Sequence, residues 1–387
     1  MALARTESAG LSRFVLPIAG LIGLGLCLGG LLVLLDPKGG ANLLASVYET
    51  LGNTTGADLL RNGSGDQVFA KILLAAIALA VGVGGIWLLF IGVAWLVSQL
   101  PHIWRDRILP WVFAGPALAL LAVFLVYPAA GTIVRSLTDD EGQFTLDNFA
   151  VMTEPVFTQI LQNNAIWLLV GTGGSVLFGL VLAGLFDRVR RESLAKTIVF
   201  LPLAISLVGA SVIWGFVYAW QPASLPQIGL LNAIVVAFGG EPIPWLQTSP
   251  INVFCEIIIL IWLQTGFAMV VFSAAIKGVS SEVLEAARLD GANERHLFLR
   301  VIVPIIRGSI VTVATTVAII TLKIFDIVYV TTGGRFNDDV VANRMFLEMF
   351  QFFNDGRGAA LASMLFIAVL PVMYINLRNF KRQQAQG

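Results

Sequence analysis

The feature that most constrains this chain is a series of apolar stretches, each about 20 residues long and almost free of charge. A helix satisfies its own backbone hydrogen bonds, whereas the hydrocarbon core of a bilayer satisfies none, so such stretches favour membrane-spanning helices. We therefore predict an all-α integral membrane protein with about eight spanning helices. Their predicted bounds are Phe14–Leu35, Ile72–Leu100, Ile108–Tyr127, Asn164–Phe186, Thr197–Trp220, Ile251–Ile276, Gly308–Val330 and Ala359–Leu377.

The composition excludes an ordinary soluble protein. Hydrophobic residues make up 57% of the 387 residues and charged residues only 12%, whereas soluble domains hold about 25% charged residues. Lys+Arg and Asp+Glu both number 24, so the net charge gives no sign of a nucleic-acid partner. The two cysteines, Cys27 and Cys255, lie inside apolar runs, and we interpret both as packing residues.

The distribution of Lys and Arg predicts the orientation, because the cytoplasmic loops of membrane proteins are enriched in both. Phe14–Leu35 is longer than the apolar part of a signal peptide, so we interpret it as an anchor helix with its N-terminal end inside. The predicted inner segments then hold most of the positive residues, and both termini are predicted to be cytoplasmic. The inner residues are Arg5, Arg13, Arg105, Arg107, Arg188, Arg190, Arg191, Lys196, Lys277, Arg288, Arg295, Arg300, Arg307, Arg378, Lys381 and Arg382, and the outer ones are Lys38, Arg61, Lys71, Arg135, Arg335, Arg344 and Arg357.

Two of the predicted outer segments differ in character. The loop Gly131–Asn163 is acidic. The segment Gln221–Pro250 holds five prolines and one charged residue, which indicates a short re-entrant or surface-lying segment rather than a soluble loop.

The inner connection Lys277–Arg307 has the features of two short helices joined by a turn. Ser281 is a suitable N-cap for the first helix, and Gly291 can adopt the left-handed conformation that ends it. Asn293 can cap the second helix, which extends to Pro304. The first helix is predicted to have an apolar strip beside an ion pair three residues apart. The strip consists of Val283, Leu284, Ala287 and Leu289, and the pair is Glu285 with Arg288.

These features favour a surface that docks into a groove of another protein. The alternative is an amphipathic helix that rests on lipid headgroups. Such helices usually combine aromatic residues on one face with a basic face opposite, whereas this one has small residues and mixed charges.

The same residues resemble the EAA loop of ABC-importer permeases, whose pattern is EAA, three residues, G, nine residues, an aliphatic, two residues and P. The aliphatic position is Val301. The matching residues, including those of the family's extended form, are Glu285, Ala286, Ala287, Asp290, Gly291, Ala292, Phe298 and Pro304. The resemblance covers the chain from about Phe149 onward, and the layout is similar to the maltose-type carbohydrate permeases. Residues 323–334 and 343–350 resemble the α-glucoside branch of that group.

The resemblance implies a six-helix permease core preceded by extra N-terminal helices. The predicted domains are an N-terminal extension (1–107), the third helix with its acidic outer loop (108–163) and the permease core (164–387) with its coupling loop (277–307). The resemblance also implies that the chain is part of a sugar importer. Its partners would be a second permease, an ATPase homodimer that binds ATP and Mg, and a periplasmic or lipid-anchored sugar-binding protein. The chain departs from the maltose permease in one respect, since Gly131–Asn163 is too short for that protein's large outer domain.

The sequence offers no catalytic or cofactor motif of its own. It has no G-x-x-x-x-G-K-[ST] phosphate loop, and Gly171–Gly174 lacks the lysine and suits close helix packing. His102 and His296 lie in different loops, so no metal site is predicted.

Ionisable residues inside predicted spans are costly in hydrocarbon and usually face the bundle interior. Glu256 is one of them, and Lys323 and Asp326 are predicted to share a helix face. They either form an internal ion pair or line a substrate pathway. The resemblance implies that sugar contacts come from the sixth and seventh helices, whose middles hold Gln264, Phe267, Thr321 and Ile324. Ordinary helix packing is the alternative for each of these residues.

Two other classes of function remain as alternatives. An ion-driven secondary transporter would use the charges of Glu256 or of Lys323 and Asp326. A membrane-embedded transferase would need clustered Asp, His or Arg at one membrane face, and no such cluster is visible.

Overall fold

The structure is a computed structural model that describes residues 83–384, except 89, 96, 98, 100, 188 and 190. The predicted helix Phe14–Leu35, Cys27 and most of the predicted run Ile72–Leu100 lie outside these residues. The chain divides into two units, residues 1–128 and residues 129–387. The proposed domain bounds at 107 and 163 stay predictions.

The described part is helical, and its only β-type pairing is a single bridge between Thr138 and Phe144. Four described helices are long and apolar enough to span a membrane, and two bent pairs raise that number to six if each pair is one span. This agrees with the predicted fold class.

In the first unit, helix α1 (Val83–Trp95) is apolar. Helix α2 starts with His102–Leu121 and continues through a π turn (Ala122–Val126) into Tyr127–Ser136, of which residues 129–136 belong to the second unit. The rings of Phe90 and Phe113 stack with their centroids 5.7 Å apart, which joins α1 to α2.

The centre of the second unit is a pair of long helices in close contact. Helix α3 runs from Pro155 to Phe186 through a π turn at Trp167–Gly171, and α7 (Ile251–Lys277) packs against it. At the crossing, a Cβ atom on Gly179 would lie 2.4 Å from the Cβ of Ala268. Only glycine fits there, which is typical of helix packing in membranes.

The predicted span Thr197–Trp220 is wrong as a continuous helix. The structure has α4 (Glu192–Ala204) and α5 (Leu207–Val217), which meet at an angle of 102°. Pro202 lies in the tight turn that ends α4, and the hydroxyl of Ser206 accepts a hydrogen bond from the Gly209 amide (3.0 Å) and caps α5. The bend therefore has a local cause, a proline followed by an N-cap serine.

The segment between α5 and α7 contains a short helix, α6 (Leu230–Ala237), which is far too short to span a membrane. Its buried Asn232 donates to the carbonyls of Ala219 (3.0 Å) and Ile243 (2.9 Å) and accepts from the Ile243 amide (2.8 Å). The side-chain amide of Asn232 thus joins the backbone before α6 to the backbone after it, so the proline-containing segment is folded compactly around this residue.

The remaining helices follow α7 in chain order: α8 (Ser281–Leu289), α9 (Glu294–Ile305), α10 (Arg307–Leu322), α11 (Asp326–Thr331), α12 (Val341–Phe350) and α13 (Asp355–Gln384). The angle between α9 and α10 is 71°. The predicted span Gly308–Val330 is also wrong as one helix, because α10 ends at Leu322 and the backbone leaves helical geometry at Phe325 (φ −135°) before α11 begins.

The core of the second unit lies along α7. One apolar cluster surrounds Trp167, Leu260 and Ile324, and a second surrounds Phe272 and Val317. Cys255 is buried in the first cluster, as predicted for a packing residue.

Candidate functional site

The candidate site starts with α8, the first helix of the predicted coupling loop. Ser280, one residue earlier than predicted, occupies the N-cap position, and no side-chain hydrogen bond caps the helix. Glu282 lies in the first turn, where the helix dipole favours a negative charge. The prediction of a helix is confirmed, and its predicted cap at Ser281 is wrong by one residue.

The end of α8 has the geometry predicted for it. Gly291 has φ +85°, its amide donates to the Arg288 carbonyl (3.0 Å), and the Ala292 amide donates to the Ala287 carbonyl (3.0 Å). These two bonds form a Schellman motif, which satisfies carbonyls that the helix end would otherwise leave free. The chain therefore turns sharply after Asp290, the C-cap residue.

The second half of the loop is α9. The side chain of Asn293 accepts a hydrogen bond from the His296 amide (2.9 Å), which confirms the predicted N-cap. Arg288 does not pair with Glu285 as predicted, because its Nε lies 3.2 Å from Oε1 of Glu294 across the turn. The pair links the two helices instead of lying along one of them.

One face of α8 packs onto the rest of the protein. Leu284 and Ala287 lie against a small apolar cluster around Leu297 and Ile306. Three further residues, Leu180 of α3, Ile276 of α7 and Ile310 of α10, belong both to this cluster and to the core cluster around Phe272. This cluster thus connects α8 to three long helices by apolar packing.

Phe298 is the second attachment of the loop. It lies in the π turn Leu297–Ile302 of α9 and packs on Gly184, where an added Cβ would be 2.7 Å from Cε2 of the ring. Pro304 is exposed and lies just before the bend between α9 and α10.

The other face of α8 is open. Glu285, Ala286 and Asp290 are exposed, and Leu289 is 89% exposed. Val283 is also exposed, so only Leu284 and Ala287 of the predicted apolar strip face inward. An exposed leucine beside small and acidic residues suits insertion into a groove of a partner protein. We call Glu285, Ala286 and Leu289 the outward face of α8.

An ionic cluster that the sequence reasoning missed lies next to the start of the coupling loop. Nζ of Lys196 donates to Asp187 (2.7 Å), to Glu192 (2.6 Å) and to the hydroxyl of Ser273. That hydroxyl donates to Asp187 (2.8 Å), and Lys277 pairs with Glu192. We call these five residues the Lys196 cluster. In the sequence, only the four-residue spacing of Glu192 and Lys196 indicates an ion pair in this region.

The predicted pathway residues do not form one surface. Thr321 and Ile324 are fully buried within the subunit, and the Thr321 hydroxyl donates to the Val317 carbonyl of its own helix (2.8 Å). Gln264 is buried, and Phe267 is half-buried. Two open cavities of about 670 and 380 Å³ in the described part are lined by other residues. The pathway assignment stays a prediction.

The predicted charge pair of Lys323 and Asp326 is absent from the described part of the chain. Lys323 lies after the end of α10 and is exposed, whereas Asp326 begins α11 and is half-buried. The break between the two helices removes the three-residue helical spacing on which the prediction depended.

Glu256 is fully buried, but its partners are hydroxyls rather than a cation. Oε1 accepts from Thr331 (2.5 Å) and Thr332 (3.4 Å), and Oε2 has no hydrogen-bond partner among the described residues. These bonds join α7 to the end of α11.

The loop between α11 and α12 lies at the opposite end of α7 from the coupling loop. Asn252 of α7 donates to Oδ2 of Asp338 (2.9 Å), and Asn163 of α3 donates to the Asp339 carbonyl (2.9 Å). Burial raises the pKa of Asp338, and it raises the pKa of Asp339 to about 6 despite a hydrogen bond from Asn343. Two buried amides thus fix this loop to both central helices.

No group of three or more His, Cys, Asp or Glu side chains in the described part has an arrangement that would hold a metal ion.

Residues 175–382 match the family described as "Binding-protein-dependent transport system inner membrane component". This range covers more than half of the chain and includes the whole coupling loop.

Among curated proteins, the chain is 46% identical over 276 residues to the osmoprotective compounds uptake permease protein GgtC of Synechocystis sp., covering 70% of this chain and 99% of that protein. It is 47% identical over 282 residues to the alpha-glucoside transport system permease protein AglF of Rhizobium meliloti, covering 72% of this chain and 84% of that protein. Among solved structures, a chain of a bacterial alginate ABC transporter in complex with a periplasmic protein has a similar fold. Its TM-score is 0.63 at 20% identity, over 71% of this chain and 96% of that chain.

Proposed function

The chain belongs to the family of binding-protein-dependent transport system inner membrane components, and from this premise we propose that it imports an α-glucoside or another oligosaccharide as the permease subunit of an ATP-driven transporter. The observation that supports the substrate class is the identity of 46–47% to permeases named for osmoprotective compounds and for alpha-glucosides.

The outward face of α8 supports the proposed coupling to an ATPase. It is exposed, apolar at Leu289 and acidic at Glu285, while the inward face of the same helix is held by packing. In the proposal, ATP and Mg bind to a separate ATPase homodimer, and its closure moves α8. Packing through Leu180, Ile276 and Ile310 would transmit this movement to the spanning helices.

The remaining partners follow from the same proposal. A second, similar permease would complete the translocation pathway, and a periplasmic or lipid-anchored binding protein would deliver the sugar. Both termini and the coupling loop would lie on the cytoplasmic side of the bacterial inner membrane, and the loop between α11 and α12 on the outer side. The binding protein would dock without a large folded domain between α2 and α3, because only residues 137–154 separate these two helices.

Substitutions of two leucines of α8, one on each face of the helix, test the docking proposal. Leu289→Ala removes an exposed outward side chain, so the permease should remain folded but lose affinity for the ATPase by about tenfold or more, as expected for an anchor residue at an interface. Leu284→Ala removes an inward side chain and should instead lower the melting temperature of the permease. Affinity is measured with purified ATPase and the permease complex in nanodiscs. Equal ATPase binding by Leu289→Ala and wild type would refute docking through this face.

The energy source for sugar uptake distinguishes the proposed ATP-driven importer from an ion-driven transporter. Membrane vesicles that contain the complete system should take up sugar when ATP is present inside, and should stop when ATP is depleted although a proton gradient is kept. Persistent uptake under a gradient alone would favour a secondary transporter that uses the charges of Glu256 or of Lys323 and Asp326.

The substrate is identified by ATPase stimulation. The assembled complex with its binding protein is supplied with maltose, trehalose, sucrose or an alginate oligosaccharide. An α-glucoside should stimulate hydrolysis. Stimulation by the alginate oligosaccharide alone would exclude α-glucosides and favour another oligosaccharide, and no stimulation by any of these sugars would contradict the proposed substrate class.

A further inference from the structure

The Lys196 cluster joins three helices at the point where the coupling loop starts. Asp187 follows the end of α3, Glu192 and Lys196 lie in the first two turns of α4, and Ser273 and Lys277 lie in the last two turns of α7. Lys277 is the last residue of α7, and α8 begins four residues later at Ser281. The cluster therefore lies at the end of α7, directly before the segment that leads into the coupling helix.

The five residues of the cluster are balanced in charge, and its inner pair is largely shielded from solvent. Two lysines face two carboxylates, and the side chains of Lys196 and Asp187 are 16% and 15% exposed. Lys196 is its centre, since its ammonium group contacts Asp187, Glu192 and Ser273 at once. A partly buried ion pair that loses one partner leaves an uncompensated charge, which is far more costly than the loss of a surface pair.

A second contact makes the same joint rigid. A Cβ atom on Gly266 of α7 would lie 2.5 Å from the Val199 carbonyl oxygen, so the backbones of α4 and α7 touch there. Gly266 lies about 10 Å along α7 from Ser273, at about 1.5 Å of rise per residue. Close backbone packing at one point and ion pairs at the other thus connect α4 to α7 at two separate points.

We propose that Lys196 and Lys277 are positioning residues of energy coupling, which make α4 move as one body with the end of α7 when the ATPase displaces α8. This inference rests on the proposed function. Apolar packing connects α8 to α3, α7 and α10, but α4 contributes no residue to the cluster that holds α8. Val199 of α4 packs farther along α7, on the cluster around Phe272. The Lys196 cluster adds the connection of α4 to the end of α7, where the coupling loop starts.

The test measures sugar molecules transported per ATP hydrolysed by the complete complex in proteoliposomes, with maltose and trehalose as the probes. Lys196→Met should lower this ratio by about 2- to 30-fold, the range known for residues that modulate coupling between sites. Lys196→Arg keeps the charge and should restore the ratio. Asp140→Asn is the matched control, because it also breaks an ion pair, with Arg135, but one whose carboxylate is 93% exposed and remote from the coupling loop.

If the Lys196→Met complex does not assemble, Lys277→Met provides the test of the proposal. Lys277 is 55% exposed, and its loss leaves Glu192 paired with Lys196, so the fold is retained. A smaller fall in the ratio than for Lys196→Met is expected. A ratio equal to that of the wild type in the assembled Met variants, whatever their yield or melting temperature, would show a merely structural role and overturn the inference. A wild-type complex without ATP-driven uptake would overturn the proposed function as well, so the two failures are distinguishable.

Discussion

Substitution of Gly291 tests how strongly the coupling loop depends on its turn. Gly291 has φ +85°, and no heavy atom lies within 4 Å of the position that a Cβ atom would take. The effect of a new side chain is therefore conformational and not steric. For residues other than Gly, Asn and Asp, this left-handed conformation costs about 1–2 kcal/mol.

The conformational cost of Gly291→Ala should appear as weaker binding of the permease to the ATPase. A free loop can relieve the strain by releasing the two Schellman hydrogen bonds at the end of α8, whereas the docked loop must keep them. A penalty of about 1–2 kcal/mol for Gly291→Ala corresponds to an affinity for the ATPase that is lower by about 5- to 30-fold. Gly291→Asn should lie closer to the wild type, because asparagine tolerates the left-handed region.

The measurement is the dissociation constant of the ATPase for the permease complex in nanodiscs. Gly278→Ala is the control, since Gly278 lies nearby with φ −78°, and its added Cβ would meet only ordinary contacts at 3.4 Å or more. We expect Gly278→Ala to bind within about twofold of the wild type, because alanine fits its conformation without strain. The reasoning is refuted if Gly291→Ala binds as tightly as the wild type, or if Gly278→Ala loses as much affinity.

Three further predictions concern the central helices and the loop at their other end. Gly179→Leu should lower the melting temperature through overpacking of about 1–3 kcal/mol, since even a Cβ would overlap Ala268, while Gly173→Leu, with open space at its Cβ, should not; equal effects would contradict the described crossing. Asn163→Leu should destabilise the loop between α11 and α12 by about 1–3 kcal/mol, because the carbonyl oxygens of residues 337 and 339 lose their buried donor, and hydrogen exchange in that loop should increase; unchanged protection would exclude this role. Asp339 holds its proton up to about pH 6, above its ordinary pKa of 3.8, so it favours the folded state most at acid pH and this contribution is lost as the pH rises from about 4 through 6. The melting temperature of Asp339→Asn relative to the wild type should rise across that window and stay constant above it, and a difference independent of pH would refute the assignment.

The parts of the fold that were predicted correctly have local causes. The membrane class follows from the apolar runs, and the left-handed Gly291 and the N-cap Asn293 follow from residue types with one strong conformational preference. The coupling loop was therefore predictable to within one residue at its start.

The errors have three causes, and only the first is a contact between residues distant in sequence. Lys196 and Ser273 are 77 residues apart, so the cluster between them leaves no periodic pattern. The breaks after Ala204 and Leu322 fall inside apolar runs, where hydropathy does not distinguish a straight helix from a bent one. Arg288 pairs with Glu294 instead of Glu285, because the turn at Gly291 brings the start of α9 back toward α8.

The π turn Leu297–Ile302 has a consequence for how the loop can change in evolution. A π turn contains one residue more than an α turn, so it is equivalent to an insertion that the helix has absorbed without a bulging loop. Deletion of one residue there would restore a regular α-helix and leave the turns on either side in phase, whereas the same deletion in a regular helix would rotate one side by about 100° relative to the other. The packing of Leu284 and Ala287 of α8 would then be kept in register with Ile310 of α10. Natural variants should therefore gain or lose one residue between Leu297 and Ile302 more readily than within a regular helix such as α7.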